Sequence, residues 1–371
     1  MELRVSRVEV IDEVLRRAIK KNVKLKTNVV VVEGEGEREV ELISRSPVME
    51  FGRVKVKVPA KVKKVTRFHN TLTQEGLYWY AQTFAQAMYY IFQYQYANGS
   101  PSAVPPPGFT NNTPPFPAMI MLYTNQGQQI GVQAIVIPQV VTPTTAIIYI
   151  IASYTPTSNT VISKEELYLY MGFAGSNVIP GTTTCFNYRI YTNLVKMAYA
   201  NVNISMNANQ TYQLIWEIEI VNNFTLQTQY NTITWMAFLF VNTLNVISNT
   251  VSPPGTSFWC GRASLQLLST SGSQQIICSQ QLTLMGYNQL QVITFLTQNN
   301  IPTVAFLFVL NNPGLNVDIT GLVGYAPNGL LSNGQGCSLV VIDNISYLVQ
   351  SQPSQNPILT LPIVVQFTGT T

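Results

Sequence analysis

Charge is almost absent from the last 303 residues of this chain, and that restricts how it can fold more than any other feature. Beyond Phe68 the only cations are Lys164, Arg189, Lys196 and Arg262, set against seven acids. The first 68 residues hold 17 Lys and Arg against 10 Asp and Glu. The formal net charge of +4 over 371 residues therefore hides a basic segment of +7 and a long segment of −3. An ordinary soluble surface is roughly a quarter to a third charged. Past residue 68 the surface must instead be built from Asn, Gln, Ser, Thr and Tyr. Amide and hydroxyl groups do not titrate in acid, so they keep their hydration where carboxylates would protonate. The composition fits a harsh, acidic exterior, or burial within a larger assembly.

Tracts rich in Val, Ile, Thr, Tyr and Phe recur between Asn, Gly and Pro clusters, which predicts many short strands. The expected fold is mainly β. A charged N-terminal α+β anchor over 1–67 is followed by two jelly-roll-like β-sandwich domains, at 68–222 and 223–371. The first series of expected strands is 118–123, 132–141, 146–153, 167–172, 186–192, 195–206 and 212–221. The second is 233–241, 257–269, 275–285, 290–296, 303–310, 315–325, 337–348 and 358–367. The pentapeptide AFLFV occurs at 237–241 and again at 305–309, a faint internal echo.

Within the charged segment, Val8, Val10, Ile11, Val14, Leu15 and Ile19 lie close to helical spacing, predicting a helix over 8–22. Alternating segments follow at 23–32, 33–43 and 53–65. The second puts Glu33, Glu35, Glu37, Glu39 and Glu41 on one face. The third puts Arg53, Lys55 and Lys57 on one face and Val54, Val56 and Val58 on the other. Paired as neighbours, the acidic and basic rows would form cross-strand ion pairs, a device that gains value at high temperature. The second reading of Lys55, Lys57, Lys61, Lys63, Lys64 and Arg67 is a basic anchor that contacts capsid protein, nucleic acid or an anionic membrane face.

The boundary reads Arg67-Phe68-His69-Asn70-Thr71-Leu72-Thr73-Gln74-Glu75-Gly76-Leu77. Thr73 is placed to cap the helix that follows, and Asn70, Thr73 and Gly76 are the candidate helix-start residues. Residues 98–117 carry seven prolines and are expected to form an irregular loop. Cys185, Cys260, Cys278 and Cys337 show no metal-ligand spacing; a Cys260–Cys278 disulfide and buried thiols are both open. Asn98, Asn111, Asn203, Asn209, Asn223 and Asn344 head Asn-x-Ser/Thr sequons, candidate glycosylation acceptors on an outer surface.

Chemistry is thinly represented. His69 is the one histidine, with no nucleophile or orienting carboxylate beside it in sequence. Glu217 and Glu219 share one face of an expected strand, where they could act as a glycosidase pair, bind a cation or form a polar sheet face. Glu165-Glu166 is expected in a loop or at a strand start. There is no P-loop, dinucleotide fingerprint, HExxH or EF-hand, so no enzyme activity, metal or cofactor is expected.

The N-terminus has charges throughout and no apolar signal region, and no run reaches the roughly 18 apolar residues of a spanning helix. An exterior-type surface without an export signal contradicts secretion but suits a virion component, assembled inside a cell and released with the particle. The order of signals over 68–221 resembles virion proteins of tailed phages, including tail-fibre types, and of icosahedral archaeal viruses. Those signals are the helix start His69, Asn70, Leu72, Thr73, Gly76 and Leu77, then the strand 117–122. Next come Glu165, Leu167 and Gly172, then Lys196 and the strand 214–220. With the N-terminal segment and a second β domain, the chain resembles turret or vertex proteins of hyperthermophilic archaeal viruses. That resemblance implies β domains stacked outward from a capsid vertex, self-assembly as a pentamer with other capsid proteins as partners, and contact with host surface glycans. The runner-up is a carbohydrate-binding or carbohydrate-cleaving receptor protein working through Tyr and Trp platforms.

Overall fold

The computed structural model describes residues 18–47, 49–89, 118–178, 185–224, 231–238, 240, 264–277, 280–287, 289–297, 299–311, 317–326, 338–342, 347–349 and 358–370. Most of them are in strands: β1 (Ile19–Ser46), β2 (Met49–Phe68), β3 (Thr71–Leu72), β4 (Ala118–Thr124), β5 (Gln129–Thr142), β6 (Thr145–Tyr154), β7 (Thr160–Val178), β8 (Cys185–Met206) and β9 (Thr211–Asn222). The series continues with β10 (Ser264–Ile277), β11 (Gln280–Met285), β12 (Gln289–Leu296), β13 (Pro302–Asn311), β14 (Val317–Ala326), β15 (Ser338–Ile342), β16 (Tyr347–Val349) and β17 (Ile358–Thr370). Two helices, α1 (Gln74–Tyr89) and α2 (Asn231–Phe238), complete the described elements. The chain is mainly β and sandwich-like.

One sheet runs β12-β13-β17-β1-β9-β6-β5, with β2 also on β1, and a second runs β5-β4-β7-β8-β3. Strand β5 belongs to both. Its first half, Gln129–Ala134, pairs with β4, and its second half, from Ile135, pairs with β6. A smaller sheet has the order β11-β10-β14-β15, with β16 on β14. One apolar cluster fills the interior. It joins Ile120, Leu167 and Leu169 of the second sheet to Tyr212, Leu214, Trp216, Ile218 and Ile220 of the first. Burying each such side chain contributes roughly 1.5–3 kcal/mol before conformational entropy is charged against it.

The charged segment does not stand apart. Strand β1 lies between β17, in parallel register from Ile19↔Ile363 to Lys26↔Thr370, and β9, in antiparallel register from Val23↔Asn222 to Gly34↔Thr211. Strands β12, β13 and β17 extend the same sheet, so neither 67/68 nor 222/223 is a boundary between sheets. Ile19–Asn22 open β1 instead of ending a helix, because these residues find β17 as a parallel partner; residues 8–17 lie outside the described residues.

Expected segments 23–32 and 33–43 are one strand, bent at Glu33–Gly36. At Gly34 a Cβ would collide with the Pro59 Cβ and sit 2.5 Å from the Lys61 carbonyl oxygen, and Gly36 has φ +65°. The register shift between Glu33 and Gly34 marks the bulge. Beyond it the β1–β2 ribbon folds over the outside of the first sheet. Val40, Leu42, Val56 and Val58 pack on Ile135, Ile137, Tyr149, Ile151 and Ile215, a small second core. Ser44 donates to the Pro138 carbonyl (2.8 Å), Ser153 to the Lys57 carbonyl (2.7 Å), and Gln139 to the Ile43 carbonyl (2.5 Å). The opposite ribbon face carries the ion-pair ladder that the sequence predicts: Lys55–Glu39 at 3.0 Å, Lys57–Glu37 at 3.2 Å, Arg53–Glu41 at 3.7 Å, and Lys63–Glu35.

Three further expectations differ. Segments 186–192 and 195–206 form the single strand β8, whose irregularities are absorbed by register shifts against β7. Residues 233–238 are helical in α2, although Ile and Thr favour strands. Thr232, Ile233, Thr234, Met236 and Ala237 are all buried there, so tertiary packing overrides propensity. The two AFLFV copies therefore differ in structure: Ala237 and Phe238 end α2, with 239 and 241 outside the described residues, whereas 305–309 lie in the middle of β13.

Candidate functional site

Among the described residues, strand β7 builds the one cluster of ionised side chains on the outside of the second sheet. Alternation along β7 is reset by a register shift between Ile162 and Lys164. Ile162 faces the core, and after the shift Glu165, Leu167, Leu169 and Met171 do so, while Lys164, Glu166, Tyr168 and Tyr170 face outward. On β4, Ala118, Ile120 and Leu122 face inward, leaving Met119, Met121 and Tyr123 outward. The pairings set these outward side chains in rows across three strands: Tyr123 beside Lys164, Met121 beside Glu166 and Tyr199, and Met119 beside Tyr168 and Lys196.

Glu166 is the centre. It is buried, yet both carboxylate oxygens are taken up. Lys164 Nζ lies 2.6 Å and Lys196 Nζ 3.0 Å from Oε1, and the Tyr123 and Tyr168 hydroxyls donate to Oε2 at 2.7 and 2.8 Å. Burial alone would push this carboxyl up, but the four hydrogen bonds overcome it and hold it at about 2. Burial, then the bond to Glu166, raise the Tyr123 and Tyr168 phenols, so both remain donors. The Lys164 ammonium also sits over the rings of Tyr123 (5.2 Å) and Tyr199 (5.5 Å). Both lysine side chains remain about one-third exposed, with donors left for a partner.

Glu165, one residue earlier, points into the sandwich. It is fully buried and neither oxygen has a hydrogen-bond partner; the indole nitrogen of Trp216, across the interior on β9, is likewise unsatisfied. Burial pushes the Glu165 carboxyl up to about 7, with a weaker opposing pull from the Trp216 N–H, whose geometry falls short of a hydrogen bond. The two glutamates thus lie inside a strand, not in a loop or at its start.

The boundary motif is a docking device for α1. Thr73 accepts from the Gly76 N–H (2.9 Å), as an N-cap should, and donates to the Lys196 carbonyl. Gly76 admits no side chain, since a Cβ would lie 2.8 Å from Met197 Cα and from its carbonyl oxygen. Leu77, Tyr80, Ala81 and Phe84 form the buried stripe of the helix, with Phe84 against Phe367 (5.4 Å) and Tyr80 stacked on Phe240 (4.8 Å). Asn70 is buried beside the cap and His69 is exposed. A cleft of about 260 Å³ lies at this corner, between Gln74 and Leu77 of α1, Asn300 and Ile301, and Phe367 and Gly369 of β17.

Of the six basic anchor residues, Lys55, Lys57 and Lys63 are engaged in the ladder. Lys61, Lys64 and Arg67 are exposed and make no ion pair among the described residues. Glu217 and Glu219 lie half-buried on the outer face of β9, Glu219 against Lys26 at 3.5 Å, and Glu217 adds to the burial that raises Tyr149. Asn203, Asn209 and Asn223 are exposed, and the Asn223 side chain accepts from the Asn22 N–H. Asn98, Asn111, Asn344, the proline-rich stretch, and the side chains of all four cysteines lie outside the described residues. Among the described residues no group of three His, Cys, Asp or Glu is placed to hold a metal, and no helix is long and apolar enough to cross a membrane.

Sequence reasoning names Lys196 only through a resemblance, reads Glu165-Glu166 as a loop or strand start, and passes over the cluster around Glu166. A signal was present: Lys164 and Lys196 are half of the cations in 303 residues. No protein-family model, curated protein or solved structure matches the chain.

Proposed function

We propose that the chain is a structural protein of a virion exterior, a vertex or turret component with jelly-roll-like layers that self-assembles on a capsid and meets the host surface. Its N-terminal segment would present the remaining cations, Lys61, Lys64 and Arg67, to the capsid or to what the capsid encloses. The observation that carries this reading is the edge strand β12. It pairs with β13 alone among the described residues, and its sequence, QLQVITFL, holds neither charge nor proline. Ile293 and Leu296 are exposed on it, at 38% and 45%. Monomeric sheet proteins protect such edges with lysines, prolines or bulges, because a bare edge pairs with another chain. A bare edge on a charge-poor protein fits one that is covered by its own copies in a closed ring.

The test is the mass of the purified chain in solution, beside Ile293→Lys and Leu296→Lys. A defined ring for the parent and monomers for both variants supports the reading. A parent that stays monomeric across a concentration series overturns self-assembly as an intrinsic property.

A further inference from the structure

Among the described side chains, the outer face of the second sheet is otherwise uncharged. Its β4 positions are Met119, Met121 and Tyr123, its exposed β5 positions are Gln129, Gly131 and Gln133, and its β8 positions beyond Tyr199 are Asn201 and Asn203. Into this surface the chain sets two lysines and one buried carboxylate, a local balance of one positive charge. A pair needed only for folding would neutralise itself with one lysine. Here the second ammonium is surplus, and both are held in place from below by Glu166. Fixing a lysine in advance removes much of the side-chain entropy that binding would otherwise cost. Around the two ammoniums lie half-exposed tyrosine rings, and at the rim amide side chains able to donate and accept.

Flat rings, amides and two preorganised cations match one ligand chemistry: sugar rings, which present C–H faces to aromatics and hydroxyls to amides, bearing acid groups for the lysines. We propose that this face binds an anionic saccharide, with Lys164 and Lys196 on its carboxylate or sulfate groups and Tyr168 and Tyr199 against its rings. The inference rests on the reading of the chain as one that meets a host surface, and it names what is met. It does not depend on assembly, because the face is remote in sequence and sheet order from β12.

The experiment is calorimetric titration of the full chain with a sulfated glycosaminoglycan hexasaccharide, a galacturonic acid hexasaccharide and neutral maltohexaose. Binding of either anionic oligosaccharide, with no heat from the neutral one, is expected, and comparison of the two distinguishes sulfate from carboxylate. Lys196→Met should weaken binding about tenfold, as loss of a charge-assisted contact does, and Lys196→Arg should restore most of it. If Lys196→Met folds poorly, the salt dependence of the parent serves: affinity should fall as salt rises. Glu39→Gln, in the ribbon ladder, should change nothing. No binding by any oligosaccharide, equal binding of the neutral one, equal binding of an oligoglutamate peptide, or binding lost on Lys64→Met but not on Lys196→Met would each overturn the proposal. Because the mass measurement and the titration read different surfaces, failure of one is separable from failure of the other.

Discussion

Glu165 and Glu166 are neighbours in sequence and opposites in circumstance: one carboxylate lies in the apolar interior without a hydrogen-bond partner, the other is gripped by four donors on the outer face. Strand alternation alone separates them, and it gives them pH dependences of opposite sign.

Glu165 holds its proton more tightly in the fold than in the unfolded chain. Its contribution is therefore fully favourable below about pH 4.5 and is lost as pH rises through about 7. A shift of that size corresponds to about 3 kcal/mol by order of magnitude. Glu165→Gln should unfold at a higher temperature than the parent at pH 8, with the gap closing towards pH 4. A gap independent of pH would refute this.

Glu166 behaves in the reverse sense. Its stabilisation is present above about pH 4.5 and disappears as pH falls through about 2. Glu166→Gln leaves two ammoniums facing each other without their counter-charge, and a loss of about 2 kcal/mol at pH 5 is expected. Thermal denaturation from pH 2 to pH 8 should show the parent most stable in mild acid. The variant should lose the decline seen at the acid end.

Thr73→Ala should cost about 1 kcal/mol through the lost cap, and more because Thr73 also ties α1 to β8 at Lys196. Gly76→Val should cost more still, since the helix must move off Met197 to make room. Denaturant titration of both variants checks the order; a tolerated Gly76→Val would show that α1 is not seated against β8 as described.

The ribbon ladder is exposed and should respond to salt. In a double-mutant cycle on Glu39 and Lys55, the coupling should shrink as ionic strength rises. Gly34→Ala, by contrast, should be destabilising at every salt concentration, because it blocks the bend sterically.

Much of the strand pattern was legible. Strands β4, β6, β9, β12, β13 and β17 are local alternations or apolar runs closed by turn residues, and the expected segments overlap each of them. The ion-pair ladder was legible for the same reason: period-two rows of opposite sign leave few other ways to pair. What the chain does not announce locally is where a strand continues through a bulge, as β1 does at Gly34, or where packing forces a helix from β-prone residues, as at Ile233. The Glu166 cluster was hidden for a third reason. Its donors come from β4, β7 and β8, and the rows that join them depend on two register shifts that no local pattern encodes.

The position of β1 also sets a timetable. Its two flanking partners, β9 and β17, come far later in the chain, and its contacts with β17 link Ile19 to Ile363. Closing loops of that size is entropically slow, whereas the β1–β2 and β7–β8 pairs can form early from nearby residues. The ribbon is therefore ready well before its place in the sheet exists. Until β17 arrives, the apolar side of β1 and the flank of β9 stand open together, and refolding from denaturant should be slow, concentration-sensitive and prone to loss by aggregation.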